Sequence, residues 1–294
     1  MIDTRLITFL TLLEEKSYTK TANKLYITQP AVTHHIKSLE KDNSITIFRD
    51  NKTFELTRAG TILKEYAEIA RSQYMQFNNA LSKKVNMVVA NMAITPMASR
   101  CINKTNFRDL ISSKDGNLNI YEYNYDRIVD KLLLGKIDFA IIDNSFDAAV
   151  FDSFTLALTS LILICNPNGK YGENIRISRE QLGSAIIVTG EEGTGLYRCT
   201  INGLNQKNIR LKNNSVISSN SIDWIVNQVL INDAIGFVYE ASVKEFINKG
   251  IVKKIELLNF NVSQNIYLMY NRKSFLNNSI INLIENIKKY EDNK

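Results

Sequence analysis

The 294-residue chain holds only two histidines, His34 and His35, and they are neighbours. Imidazole is the side chain best suited to move a proton near neutral pH. Their adjacency therefore excludes a Ser-His-Asp arrangement, a His-x-x-x-His zinc site, or a histidine base anywhere else. Three cysteines, Cys101, Cys165 and Cys199, are odd in number and widely spaced, which suits neither a disulfide framework nor a metal knuckle. Buried reduced thiols are expected, with a redox switch as the alternative. The segment Gly190-Glu191-Glu192-Gly193-Thr194-Gly195 has the glycines of a phosphate loop, but Leu196-Tyr197 follow where such a loop needs Lys-Ser/Thr. What remains is a glycine-flanked helix start, holding either an anion on free N–H groups or a turn closed by its own backbone. No catalytic residue, metal or cofactor is expected.

Charge is more informative. The formal net charge is +6. From Lys16 to Arg58 eight basic residues, among them Lys20, Lys37, Arg49 and Lys52, face four acidic ones, Glu40, Asp42, Asp50 and Glu55. A small basic module on a near-neutral remainder is the footprint of a polyanion-binding unit, or of a solvated basic face. Hydrophobic residues at 45% and charged residues at 22% are ordinary globular usage, and the length suits two or three domains. The apolar run Leu161 to Cys165 falls far short of the roughly 18 residues of a membrane span. With Glu14 and Glu15 close to an unremarkable N-terminus, no secretory signal is read and a cytoplasmic location is expected.

The elements that position these residues follow from periodicity. Leu6, Phe9, Leu10 and Leu13 mark one face of a first helix ending near Lys16. A second helix follows Ser17 or Thr19 as cap, turns Ala22 and Leu25 inward, and stops at Tyr26-Ile27. Thr28 caps a third, with Pro30 in the first turn where a missing N–H costs nothing. Its stripe Val32, Ile36, Leu39 is buried, so Gln29, Thr33, His34 and Lys37 face outward. Phe48 to Thr57 reads as a β-hairpin, and Thr57 caps a long helix in which Ile62, Tyr66, Ile69, Ala70, Tyr74, Phe77 and Leu81 recur at three- and four-residue steps. That stripe needs a partner, and a second copy of the chain is the simplest.

Beyond it strands and helices alternate. Strands are expected at Val85 to Ala90, Leu118 to Tyr123, Ile137 to Ile142, Ser184 to Val188, Ile235 to Tyr239 and Ile266 to Tyr270. Helices are expected from Thr95-Pro96, through Arg127 to Leu134 with Gly135 as C-cap, near Ser178 to Leu182, Thr194 to Leu204, Ile222 to Leu230 and Ser274 to Tyr290. The expected class is α/β, a mainly parallel sheet in two lobes of about 80 to 100 residues with a cleft between them. Trp224 is expected in the core.

Ser17-Tyr18-Thr19-Lys20-Thr21-Ala22-Asn23-Lys24-Leu25, Thr28-Gln29-Pro30-Ala31-Val32-Thr33, Ile36, Leu39-Glu40, Phe48 and Leu56-Thr57-Arg58-Ala59-Gly60 closely resemble the DNA-binding domain of LysR-type transcriptional regulators. The resemblance implies a winged helix-turn-helix over 1–58, a dimerising linker helix over 59–84, and over 85–294 an effector-binding domain similar to periplasmic binding proteins. Lobe I would take about 85–162 and 264–294, and lobe II about 163–263. Asn43-Ser44 stands where Leu-Gly usually follows the recognition helix, and Phe48 to Leu56 is one residue short, so a re-registered wing is expected. His34 stands where arginine is common, and its protonation beside phosphate should tighten DNA binding as pH falls.

In that setting Gln29, which donates and accepts at once, suits the N6/N7 edge of adenine. Thr33 and His34 are candidate base or phosphate contacts, and Lys20, Lys52 and Arg58 position the backbone. Thr19, Thr28, Pro30 and Lys37 complete the expected DNA face. The effector is expected between helix starts: Thr95 with Pro96, Gly193-Thr194-Gly195, and Ser219-Asn220, with Asn144 after the Ile137 to Ile142 strand. Their free N–H groups suggest a small polar molecule with a carboxylate or phosphate, while Glu191 and Glu192 favour a neutral or zwitterionic competitor.

The function expected is sequence-specific DNA binding by a homodimer or homotetramer, controlled by that effector, with no reaction. RNA polymerase is an open further partner and no membrane is involved. Two alternatives stand beside it: a ligand-independent repressor whose C-terminal domain only oligomerises, and a small-molecule enzyme fused to a DNA-binding domain.

Overall fold

The structure, a computed structural model, describes residues 2–50, 53–81, 88–102, 116–209, 216–274, 281 and 284–285. It divides into two compact units, one built on Met1–Val85 and one on Asn86–Leu132 and Ile137–Lys273.

In the first unit, α1 (Thr4–Glu15) starts at Asp3, whose carboxylate accepts the Arg5 N–H. α2 (Tyr18–Leu25) is capped by Ser17 rather than Thr19. The Thr28 hydroxyl accepts the Ala31 N–H to open α3 (Gln29–Asn43), with Pro30 in its first turn. All three helices end on a left-handed residue other than glycine: Lys16, Tyr26 and Ser44, with φ of 47°, 55° and 52°. Ser44 thus occupies a conformation in which glycine avoids the Cβ clash. Val32, Ile36 and Leu39 are buried, and the last two join Leu6, Phe9, Leu10, Leu12, Ile47 and Phe48 in one apolar cluster. Arg5 fastens α1 to α3, its guanidinium bridging Asp3, Ser38 and Asp42.

The wing consists of β1 (Phe48–Asp50) and β2 (Glu55–Leu56), antiparallel, with Phe48 opposite Leu56 and Asp50 opposite Glu55 across an irregularity in register. Asn51 and Lys52 lie outside the described residues. Thr57 caps α4 (Arg58–Leu81) by accepting the Gly60 N–H at 2.9 Å. Gly60 is needed because a Cβ there would sit 2.2 Å from the Ile47 carbonyl oxygen. Leu63 and Ala67 on α4 enter the helix-turn-helix core. The expected stripe occupies other faces: Ile62, Tyr66, Phe77 and Leu81 are exposed, with Ile69 and Tyr74 half-buried.

The second unit is organised on a ten-stranded sheet. β3 (Val88–Ile94) lies between β4 (Gly116–Glu122) and β5 (Phe139–Ile142), all parallel. β8 (Ile187–Thr189) lies between β9 (Val216–Ser218) and β10 (Ile235–Tyr239), again all parallel. Two long antiparallel strands join these halves. β12 (Val262–Asn271) pairs with β5, and β6 (Phe151–Cys165) pairs with both β12 and β10. β11 (Lys253–Leu257) pairs with the end of β6 and with β7 (Arg176–Ile177).

Helices fill the connections: α5 (Pro96–Cys101), α6 (Tyr125–Leu133), α7 (Arg179–Ser184), α8 (Gly195–Gln206), α9 (Ile222–Ile231) and α10 (Glu240–Asn248). A right-handed crossover through a helix is how parallel strands connect.

Several expectations need correction. The strand expected at Ser184 begins at Ile187, because Ser184 closes the last turn of α7. β6, β7, β9, β11 and α10 were not anticipated. Trp224 is not core but 59% exposed, because Ile222, Ile225, Val226 and Val229 form the buried side of α9. Of the Ser274 to Tyr290 helix, only residues 274, 281, 284 and 285 are described, and residues 85–87 of the Val85 strand also lie outside.

Candidate functional site

The first site is the outward face of α3. Thr28, Gln29, Pro30, His34 and Lys37 are exposed, and Thr33 is half-buried with its hydroxyl donated to the Gln29 carbonyl at 3.3 Å. Gln29, Thr33 and Lys37 fall at four-residue steps, one above the other along the helix. Thr19 and Lys20 are exposed at the start of α2, and Arg58 at the start of α4. Among the described residues, no ion pair engages Lys20, Lys37 or Arg58. Lys24, by contrast, is held by Glu14 and Glu15. Of the two histidines, His35 packs inward with Nδ1 2.9 Å from the Thr8 hydroxyl, leaving His34 as the exposed imidazole. The buried stripe positions this face: α3 is gripped along Val32, Ile36 and Leu39, so its opposite side must meet solvent or a partner.

The second site is a cavity of about 150 Å³ in the second unit. Thr95 and Pro96 enter it from the β3–α5 junction, Asn144 from the end of β5, Gly193 and Thr194 from the turn before α8, and Asn220 from the turn before α9. Residues that sequence reasoning missed complete the wall: Met97 on α5, Asn124 just before α6, Tyr125 and Asp126 at its start, and Asp143. The signal that could have found Asp143 was a polar Asp-Asn pair directly after the apolar run of a parallel strand, the end at which open α/β sheets bind ligands.

Asp143 organises the wall. It is 2% exposed. Thr95 donates its hydroxyl to Oδ1 at 2.7 Å, Tyr239 at the end of β10 donates to Oδ2 at 3.1 Å, and the Leu196 backbone N–H adds a third donor. One carboxylate therefore ties β3, β5, β10 and the start of α8. Burial pushes its pKa above the usual carboxylate range, against these donors and its own backbone N–H, which pull it down.

This geometry corrects three expectations. Thr95 does not cap α5, because its hydroxyl is committed to Asp143. Gly195 does not reach the cavity but backs onto Asp143: a Cβ there would lie 2.2 Å from the Asp143 carbonyl oxygen. The positive end of α8 already serves a carboxyl group, and it belongs to the protein. Ser219 is not on the wall either; its hydroxyl accepts the Ser221 N–H at 3.1 Å.

Asn144 is 1% exposed and donates through Nδ2 to the Gly193 carbonyl at 3.1 Å. The Gly193 oxygen can only accept, which fixes the amide orientation. Cys199 and Cys101 also lie near Asp143, and burial, assisted by its charge, raises both thiols above their ordinary range. No cluster of potential metal ligands occurs among the described residues, and none of their helices is long and apolar enough to cross a membrane.

Residues 4–61 match the model of the bacterial regulatory helix-turn-helix protein, lysR family, and residues 115–291 match that of the LysR substrate binding domain. The chain is 24% identical to the HTH-type transcriptional regulator CysL of Bacillus subtilis, over 86% of this chain and 85% of that protein. Solved structures share its fold. Full-length OxyR of Pseudomonas aeruginosa superposes with a TM-score of 0.69 at 17% identity, covering 97% and 96% of the two chains. CbnR in complex with its target DNA gives 0.65 at 16% identity, covering 99% and 100%. LysG of Corynebacterium glutamicum with bound effector Arg gives 0.64 at 15%, covering 100% and 99%. With a basic helix-turn-helix, a long helix presenting an unburied apolar face, and an α/β unit with a polar cavity, the chain belongs to the LysR family of transcriptional regulators.

Proposed function

We propose that the outward face of α3 reads operator DNA and that the cavity of the second unit takes the small polar effector that controls it. The observation carrying this reading is that the cavity wall draws Thr95, Asn144, Thr194 and Asn220 from the C-terminal ends of strands in both parallel halves of the sheet. A ligand there touches both halves at once, so its binding favours one arrangement of them over another. That LysG was solved with an effector and CbnR with its target DNA supports the same division of labour.

In this assignment residues 1–58 bind DNA, 59–84 pair two copies, and 85–294 sense the effector. Gln29 and Thr33 contact bases; Thr19, Lys20, Thr28, Pro30, His34, Lys37, Lys52 and Arg58 hold phosphates or fix the docking angle. The assembly is a homodimer or a homotetramer, RNA polymerase is a further partner, and no reaction is catalysed. The test is fluorescence anisotropy of the full-length protein on DNA from upstream of its own and adjacent genes, against random DNA of equal length. Specific binding should exceed random binding by about 10³-fold or more at physiological salt. Equal affinity for every fragment refutes the regulator reading.

A further inference from the structure

We propose that the effector presents a cationic N–H group, an ammonium or guanidinium, to the acidic side of the cavity and to the Asn144 amide oxygen. This deepens the effector assignment above and rests on it.

Two independent observations point the same way. Asn144 is buried, and with Nδ2 spent on Gly193 its Oδ1 has no hydrogen-bond partner among the described residues. A buried acceptor without a donor is costly, and the vacant position asks for an N–H or O–H from whatever fills the cavity. The charges around it select between these. Asp126, Glu191 and Glu192 are exposed carboxylates on the wall, with no ion-pair partner among the described residues, and no lysine or arginine is on the wall.

Three of the donors that an anionic ligand could use at these helix starts are committed. Leu196 N–H and the Thr95 hydroxyl serve Asp143, and Tyr197 N–H serves the Thr194 hydroxyl. The nearest basic side chain, Arg198, packs over the Tyr125 ring at 5.8 Å, within 3.5 Å of the Ser145 hydroxyl and the Gly193 carbonyl. It stands beside the cavity rather than in its wall, where a carboxylate on the far end of a zwitterion could meet it.

The test is a thermal-shift and calorimetric screen of the full-length protein. Ethanolamine, putrescine and agmatine represent cations, butyrate, succinate and glycerol phosphate anions, and glucose a neutral polyol. At least one cation should raise the melting temperature while the anions do not. In a Glu191→Gln, Glu192→Gln double variant, whose changes are on the surface and leave the unliganded melting temperature unchanged, affinity for that cation should fall about tenfold. Asn144→Ala should weaken it as well. A cation shift unaffected by the double variant, or no shift from any cation, overturns the proposal. Binding of an anion or of glucose that Asn144→Ala abolishes also overturns the cationic class while leaving the cavity as the effector site. Ligand binding indifferent to every cavity variant removes both readings.

Discussion

Replacing Thr95 by valine keeps the shape of the side chain and removes only the hydroxyl that Asp143 accepts. Thr95 is 4% exposed, and its oxygen lies 2.7 Å from Oδ1 of a carboxylate that is itself buried. A hydrogen bond to a charged buried group contributes about 1.5–3 kcal/mol. Tyr239 and Leu196 still serve the carboxylate, so about 2 kcal/mol is the expected loss. In a unit of about 200 residues that is roughly 4–8 °C of melting temperature.

The loss also depends on pH, and the sign follows from linkage. Burial raises the folded-state pKa of Asp143, so the folded unit holds a proton that the unfolded chain releases. Stability from this group is therefore complete below the ordinary carboxylate pKa of about 3.8 and declines as pH rises through the raised value. Removing a donor raises the pKa further and deepens that decline. The valine variant should show its full deficit near pH 8 and a smaller one toward pH 4, and Thr95→Ser should stay within about 1 kcal/mol of wild type. Trp224, the sole tryptophan, lies in the same unit and reports its unfolding by fluorescence without ligand. A deficit below about 0.5 kcal/mol, or one equal at both pH values, refutes the role given to this contact.

Gln29→Ala should weaken operator binding by about 1–3 kcal/mol while leaving random-DNA affinity almost unchanged, measured by anisotropy on both. Tyr66→Lys with Phe77→Lys should shift sedimentation toward monomer by setting charge into an apolar face; a wild type that is monomeric at micromolar concentration contradicts that face as a seam. Ser44→Gly should stabilise the N-terminal unit by about 0.5–1 kcal/mol in urea unfolding, because the left-handed residue at the end of α3 then carries no Cβ. Burial pushes Cys165 up to about 11 and Cys199 up to about 12, and Cys101 higher still. Native protein should therefore resist a thiol reagent near pH 8 and release all three thiols on unfolding, whereas rapid native labelling would place a thiolate at the surface.

How much of this was legible in the residues differs between the two units. The start of helix α3 could be placed to the residue, because Thr28, Pro30 and the stripe Val32, Ile36, Leu39 all act within a few residues of each other. Caps and periodicity are local physics. The buried side of α4 was harder. Leu63 and Ala67 fit the same period as Ile62 and Tyr66, and only the docked position of α1 decides which pair is covered. Trp224 was misplaced for the same reason: an aromatic on an apolar helix reads as core until the sheet is present to claim the other side.

What the sequence by itself determined is therefore most of the helices and the solvent-facing side of α3, since hydrogen bonds four residues apart and a periodic apolar pattern carry their own instructions. Tertiary structure alone decided the character of the cavity. Thr95 and Tyr239 lie 48 and 96 positions from Asp143 in the chain, and their meeting depends on β6 and β12 joining the two parallel halves. A helix start read in isolation offers free N–H groups to an anion; once folded, α8 spends one of them on a carboxylate delivered from β5. Electrostatics sums over neighbours in space, and strand pairing, which the local pattern does not encode, chooses those neighbours.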